Sequence, residues 1–127
     1  MILFDTSFLI EYLDGAERTR TFLDANEGRP FFAPSLVLFE VYRGVTRTGG
    51  EVRLDAVQDR LAWLEPIPLD AGSAREAARI EAELLDAGQP INLGDVLIAG
   101  VCRHHGSLLV TDDDHFDRVD GVETLSY

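Results

Sequence analysis

The stretch ILFDTSFLIEYL, residues 2–13, joins a continuous apolar run to a segment with a different apolar period. The run at its start favours a strand that is buried on both faces, because it is apolar without alternation. Phe8, Leu9 and Leu13 then follow at the spacing of one helical face. A strand therefore leads directly into a helix, and Asp5 lies at the junction between them.

Strands and helices continue to alternate along the rest of the chain. Further strands are predicted at FFA (31–33), EPIPL (65–69), SLLVT (107–111) and VETL (122–125). Helices are predicted at 6–13, 17–27, 35–50, 51–64, 71–88 and 96–106. This order predicts an α/β fold with three α/β/α layers and a mainly parallel central sheet of four to five short strands. The length of 127 residues favours one domain over 1–127.

The composition is that of a globular protein with one sizeable core. Apolar residues make up 46% of the chain, and no apolar run approaches the ~20 residues that span a bilayer. We therefore expect a soluble cytoplasmic protein without a membrane partner. The single cysteine, Cys102, lies in the apolar segment VLIAGVCRHH and is expected to be a buried helix residue rather than a nucleophile.

The charge balance is strongly acidic. Asp and Glu number 23, all 11 basic residues are Arg, and the net charge is -12. An acidic surface without lysine is expected of a protein that stays soluble in concentrated salt, so one hypothesis is a halophilic source. The competing hypothesis is an acidic protein that binds a basic partner.

Acidic residues follow two of the predicted strands. In open parallel sheets, ligands bind outside the carboxyl ends of the strands. Asp5 lies at one such end, and Asp112, Asp113 and Asp114 follow Thr111 at another. Asp5 is equally suited to cap the next helix, and the three aspartates are also compatible with an ordinary acidic turn.

Two further acidic residues lie on helices. Glu40 is surrounded by apolar neighbours in SLVLFEVYRG, so its carboxylate needs a partner, which is either Arg43 or a metal ion. Gly44, one helical turn later, leaves room for a ligand to approach. Asp95 begins the helix of VLIAGVCRHH and is either its cap or a ligand.

The predicted topology allows these acidic groups to meet at one end of the sheet. Clustered carboxylates either share protons or hold a hard cation, and Mg²⁺ and Mn²⁺ prefer oxygen ligands. A metal in such a site activates water and neutralises charge on a phosphoryl group, which favours phosphodiester hydrolysis. His104, His105 and His115 show no zinc-binding spacing.

Two other families with acidic sites at a sheet edge fit less well. Haloacid-dehalogenase-like phosphatases require Asp two residues after the first aspartate, where this chain has Ser7. Phosphorelay receiver domains require a lysine, and this chain has none.

Four ordered motifs resemble those of the PIN-domain ribonucleases, specifically the VapC-type toxins of toxin–antitoxin pairs. They are DTSFLIEYL, SLVLFEVYRG, GQPINLGDVLIAGVCRHHG and LLVTDDDHFDRVDGVETL. The resemblance implies that four acidic residues bind the metal and carry catalysis: Asp5, Glu40, Asp95 and Asp113. It also suggests that Ser7 and Thr111 orient the site, and it leaves the role of Asp112 open.

The resemblance further implies an endoribonuclease that depends on Mg²⁺ or Mn²⁺ and cleaves RNA. A homodimer and a VapB-type antitoxin are expected partners. Arg43, Arg47 and Arg103 are candidates for RNA contacts, with surface ion pairing as the alternative for each. A catalytically silent PIN-like module that binds RNA or a partner remains the alternative function.

Overall fold

The computed structural model describes residues 1–127. Its five strands are β1 (Ile2–Phe4), β2 (Phe31–Pro34), β3 (Leu64–Ile67), β4 (Leu108–Val110) and β5 (Glu123–Leu125). Its five α-helices are α1 (Thr6–Leu13), α2 (Glu17–Ala25), α3 (Ser35–Arg60), α4 (Ala71–Asp86) and α5 (Leu93–His105). A short 3₁₀ helix spans Asp114–Arg118.

The five strands form one parallel sheet in the order β3-β2-β1-β4-β5. Strand β1 lies at the centre, with Leu3 opposite Phe32 of β2 and Phe4 opposite Val110 of β4. Ile2, Leu3 and Phe4 are buried, as a strand covered on both faces requires. The predicted α/β fold with a parallel central sheet is confirmed.

Helices cover the sheet in two groups. Helix α1 packs on α2 and α3, while α4 packs along α5. Around α1, aromatic rings fill the core, and the centroids of Phe4 and Phe8 lie 4.3 Å apart. Between α4 and α5 the backbones approach closely, because a Cβ added at Gly100 would lie 2.6 Å from the Cβ of Ala77. None of the helices combines the length and the apolarity that crossing a bilayer requires.

The structure differs from the predicted elements mainly at their boundaries. The two helices predicted at 35–50 and 51–64 are both present within α3, which is interrupted at Gly50, where φ is 63° and ψ is -158° and the backbone is not helical. The second part ends at Arg60 because Leu64 already pairs with Phe31 in the sheet. Part of the predicted acidic turn forms the 3₁₀ helix.

Candidate metal centre at the carboxyl ends of the strands

Asp5 is held at the carboxyl end of the central strand. Its side chain is 4% exposed and caps α1. The amide of Thr6 donates to its Oδ1 (2.7 Å), and the hydroxyl of Thr111 donates to its Oδ2 (2.8 Å). The capping alternative and the site prediction are therefore compatible, since one carboxylate oxygen caps the helix and the other faces the neighbouring strand.

Thr111 connects Asp5 to Asp113. Its Oγ1 donates to Asp5 and accepts from the amide of Asp113 (3.0 Å). The parallel pairing of β1 with β4 brings these residues together, although Thr111 and Asp5 are 106 positions apart in the sequence. The structure thus places Thr111 where a residue that orients both aspartates must lie.

The expected contribution of Ser7 is not seen. Ser7 is exposed on α1, and the hydroxyl that reaches the acidic cluster belongs to Thr6 instead. The cause is the helical geometry of the segment that begins directly after Asp5, which turns adjacent residues about 100° apart. Thr6 therefore replaces Ser7 among the neighbours of the site.

Asp95 lies in the first turn of α5, and the alternative that it caps this helix is wrong. The cap is Asn92, whose Oδ1 accepts from the amide of Asp95 (2.9 Å). The amide group of Asn92 donates back to Oδ2 of Asp95 (2.7 Å). This reciprocal arrangement fixes the carboxylate, whose side chain is 13% exposed.

Glu40 approaches the same region from α3. Its Oε1 accepts from the hydroxyl of Thr6 (3.1 Å), and its Oε2 lies 3.7 Å from where a Cβ at position 94 would be. The carboxylate of Glu40 therefore lies within van der Waals range of the first turn of α5, the turn that carries Asp95. Arg43, the alternative partner, instead stacks on the ring of Phe39 at 5.2 Å.

His115 also lies in the cluster, although the spacing of the three histidines in the sequence showed no metal-ligand pattern. Its Nδ1 lies 3.4 Å from Oδ1 of Asp113 and 3.5 Å from Oδ2 of Asp95. This nitrogen is buried and has no hydrogen-bond partner. In the sequence, the only signal for this role was that His115 lies two residues after Asp113. In the structure, Asp113 caps the 3₁₀ helix by accepting from the amide of His115, which keeps the imidazole beside Asp113.

Burial and mutual repulsion raise the pKa values of two carboxyl groups in the cluster. Burial, with smaller contributions from the charges of Asp95 and Asp113, raises the pKa of Asp5 to about 6 despite its hydrogen bonds. Burial and the charge of Asp113 also raise the pKa of Asp95. The carboxylates therefore repel one another without an added cation.

The donor set fits a divalent cation. Asp95, Asp113 and His115 each offer a ligand atom within 4.8 Å of the others, and the buried nitrogen of His115 lacks a partner. Carboxylate oxygens suit hard divalent cations, and such an ion would offset the repulsion that raises the pKa values. Asp5 and Glu40 border this group through Thr111 and Thr6.

The other two aspartates of the acidic turn point elsewhere. Asp112 is exposed and pairs with the guanidinium of Arg18, which also binds Glu11 through two nitrogens (2.7 and 2.8 Å). Asp114 is exposed in the first turn of the 3₁₀ helix. Asp112 is therefore occupied by an ion pair outside the cluster.

The three candidate arginines separate into two groups. Arg103 is bound by Glu76, Glu83 and the carbonyl of Asp120, so the ion-pair alternative holds and the expected RNA contact does not. It lies eight residues beyond Asp95 on α5, about 12 Å along the helix axis and away from the cluster. Arg43 and Arg47 are exposed on α3 without an ion pair.

Cys102 is buried, as expected. Burial is the main cause that raises the pKa of its thiol to about 12. The thiol therefore has no role as a nucleophile at neutral pH.

Comparisons with known proteins identify a matching family and several relatives. The family model described as PIN domain matches residues 2–122. A relative described as tRNA(fMet)-specific endonuclease VapC, from Shigella flexneri, is 30% identical over 101 residues, which is 78% of this chain and 76% of the relative.

Solved structures show the same architecture. The chain superposes on VapBC from Salmonella typhimurium bound to DNA with a TM-score of 0.88 and 26% identity, covering 98% of this chain and 96% of the other. For VapBC2 from Rickettsia felis, bound to a DNA fragment from the promoter, the TM-score is 0.90 at 22% identity, covering 99% and 98%. The chain belongs to the PIN-domain family and, within it, to the VapC proteins.

Proposed function

We propose that this protein is an endoribonuclease that requires Mg²⁺ or Mn²⁺ and acts as the toxin of a type II toxin–antitoxin pair. One observation supports the activity above all others: four segments of the chain deliver Asp5, Glu40, Asp95 and Asp113 to one edge of the sheet. The Shigella flexneri relative is described as an endonuclease specific for a tRNA, which supports RNA as the substrate class.

The residues of the cluster would have different roles in binding a metal. Asp95 and Asp113 would bind it, with Asp5 and Glu40 at its border and His115 as a further neighbour. When bound, the ion would supply water activation and charge neutralisation for hydrolysis of a phosphodiester. Asn92 and Thr111 orient Asp95 and Asp5 by hydrogen bonds, so the ligands are held before the ion arrives.

RNA would reach this centre across an acidic protein. The net charge of -12 disfavours long-range attraction of a polyanion, so contacts must be short and local. Arg43 and Arg47 are exposed and form no ion pair on α3, the helix that carries Glu40, although Arg43 stacks on Phe39. We therefore assign them to the phosphate backbone of the substrate.

The proposed partners follow from the relatives. Two solved structures that share this fold are VapBC complexes bound to DNA, which supports a VapB-type antitoxin for this chain. We propose that the antitoxin covers the acidic edge and that the toxin forms a homodimer. The alternative function, a silent module that binds RNA without cutting it, has no observation in its favour.

The activity is tested by incubating the protein with a mixed pool of structured and unstructured RNA, with Mg²⁺, Mn²⁺ or a chelator. We expect cleavage only with metal, and a loss of at least about 100-fold in Asp113→Asn because a ligand and its charge are removed. Asp114→Asn is the matched control, since it makes the same change one residue away on an exposed side chain. Equal cleavage by both variants would refute the assignment, and RNA binding without any cleavage would support the silent module.

A further inference from the structure

A second group of potential metal ligands lies far from the carboxylate cluster. Asp70 precedes α4, and His104 and His105 end α5. His104 is nine residues beyond Asp95 on the same helix, which separates the two groups by about 13 Å along its axis. This group could not be predicted from the sequence, because the histidines are adjacent to each other and Asp70 is remote in the chain.

The three side chains converge at the surface where α4 begins and α5 ends. Nε2 of His104 lies 3.8 Å from Oδ1 of Asp70, and the two imidazole rings are 5.0 Å apart at their centroids. Each of the three residues has a ligand atom within 4.8 Å of the others. The amide of Ser73 donates to Oδ1 of Asp70 (2.8 Å) and is the main cause that lowers the pKa of this carboxyl, so Asp70 is charged near neutral pH.

Gly72 makes this convergence possible. A Cβ at this position would lie 2.3 Å from Cε1 and 2.6 Å from Nε2 of His104, closer than real Cβ contacts allow. Glycine is unfavourable inside a helix compared with alanine, yet it occupies the first turn of α4 here. Its effect is a space that the imidazole of His104 fills.

The chemistry of the ligands differs from that of the carboxylate cluster. Two imidazoles and one carboxylate suit borderline transition metals, whereas oxygen-rich sites suit Mg²⁺ and Mn²⁺. The carboxyl end of α5 carries partial negative charge, which favours a cation near its last turn. We propose that Asp70, His104 and His105 bind a transition-metal dication such as Zn²⁺, Co²⁺ or Ni²⁺ and thereby join the start of α4 to the end of α5.

The test exploits the small number of histidines. The chain has three, so two-dimensional NMR of the imidazole nitrogens can follow His104, His105 and His115 separately during Zn²⁺ titration of the full chain. We expect His104 and His105 to respond together at one equivalent. In Gly72→Ala we expect the affinity at these two histidines to fall about tenfold, with the response of His115 unchanged.

Two further variants keep the test decisive. His104→Asn removes a ligand and should abolish the joint response, while Asp70→Ser keeps a good capping residue and should weaken it. Thermal unfolding without metal checks that each variant is folded, and Zn²⁺ should raise the melting temperature of the wild type more than that of His104→Asn. Unchanged Zn²⁺ affinity at His105 in Gly72→Ala and in His104→Asn would overturn the proposal.

Discussion

At the residue scale, Asp5 combines two demands that oppose each other. It is buried at the centre of the sheet edge, where a charged group is unfavourable, and it lies near Asp95 and Asp113. Hydrogen bonds from Thr6 and Thr111 compensate only in part, since its pKa is still raised to about 6. A residue selected for stability alone would not be ionisable here, so Asp5 is expected to trade stability for function.

The raised pKa of Asp5 predicts how the stability of Asp5→Asn, measured in chelator, differs from that of the wild type. Because the folded state holds the proton of Asp5 more tightly than the unfolded chain does, ionisation of Asp5 reduces stability. The reduction is absent below about pH 4, grows as the pH rises to about 6, and is complete above it. A shift of about two pKa units corresponds to about 3 kcal/mol, so at pH 8 the variant should be more stable by up to that amount.

Urea denaturation at pH 4, 6 and 8 checks this prediction. The free energies of unfolding of wild type and variant should be similar at pH 4 and diverge by pH 8. Asp86→Asn makes the same change on an exposed side chain at the end of α4, and it provides a control whose difference from wild type should not follow this pH dependence. A variant that is less stable than wild type at pH 8 would contradict the account.

At the element scale, the amino end of α5 is the part that most directly shapes the site. Asn92 both caps the helix and donates to the carboxylate of Asp95, and Gly94 lies within van der Waals range of Glu40. The segment NLGD, residues 92–95, therefore sets a helix boundary and the orientation of the Asp95 carboxylate together.

Replacing Asn92 separates these roles. Asn92→Ala should lower the free energy of unfolding by about 1 kcal/mol because the cap is lost. Asn92→Ser should recover most of that stability, since serine also caps well, but it removes the side-chain amide that donates to Oδ2 of Asp95 and leaves only a shorter hydroxyl. We expect both variants to lose RNA cleavage by a similar factor, measured beside their denaturation curves. Full cleavage by Asn92→Ser would show that the amide contact to Asp95 is unimportant.

The elements show how far the sequence could predict the structure. The buried central strand followed by α1 was readable from ILFDTSFLIEYL, because apolar periodicity reports burial directly. The start of α5 was placed too late, since the apolar pattern of VLIAGV begins after the capping residue Asn92. The paired glycines correctly marked the break at Gly50, and the second predicted helix follows it directly.

For the site, the sequence identified the carboxylates but not their neighbours. Parallel strands bring their carboxyl ends to one edge, so Asp5 and Asp113 were predictable from topology. The proximity of His115 depends on a 3₁₀ turn, and the loss of Asp112 to Arg18 depends on where α2 packs. The ion pairs of Arg103 could not be predicted from the sequence because its partners, Glu76 and Glu83, lie on another helix. Pairings between side chains on different elements depend on how those elements pack, which the sequence pattern does not specify.

At the scale of the whole molecule, charge is the dominant feature. A net charge of -12 on 127 residues opposes compaction by self-repulsion, and the eleven arginines are too few to offset it. Salt bridges such as Arg103 with Glu76 and Glu83 supply local compensation.

We therefore expect the protein to gain stability as salt increases. The Debye length falls from about 10 Å at 0.1 M to about 3 Å at 1 M, which screens repulsion across the surface more than it weakens the close ion pairs. The melting temperature should rise steadily from 0.1 to 2 M KCl, followed by circular dichroism in chelator. A maximum in dilute buffer would contradict this and would reject the hypothesis of adaptation to concentrated salt.

The pairing of β1 with β4 has a consequence for how the protein is made. Ribosomes synthesise Thr111 106 residues after Asp5, and the central strand lacks one of its two neighbours until β4 has emerged. Under the proposed function, a nascent chain that stops before β4 carries no complete nuclease centre. Translation thus delays the proposed activity until β4 has been made, which gives the proposed antitoxin time to bind the protein before it can cleave RNA.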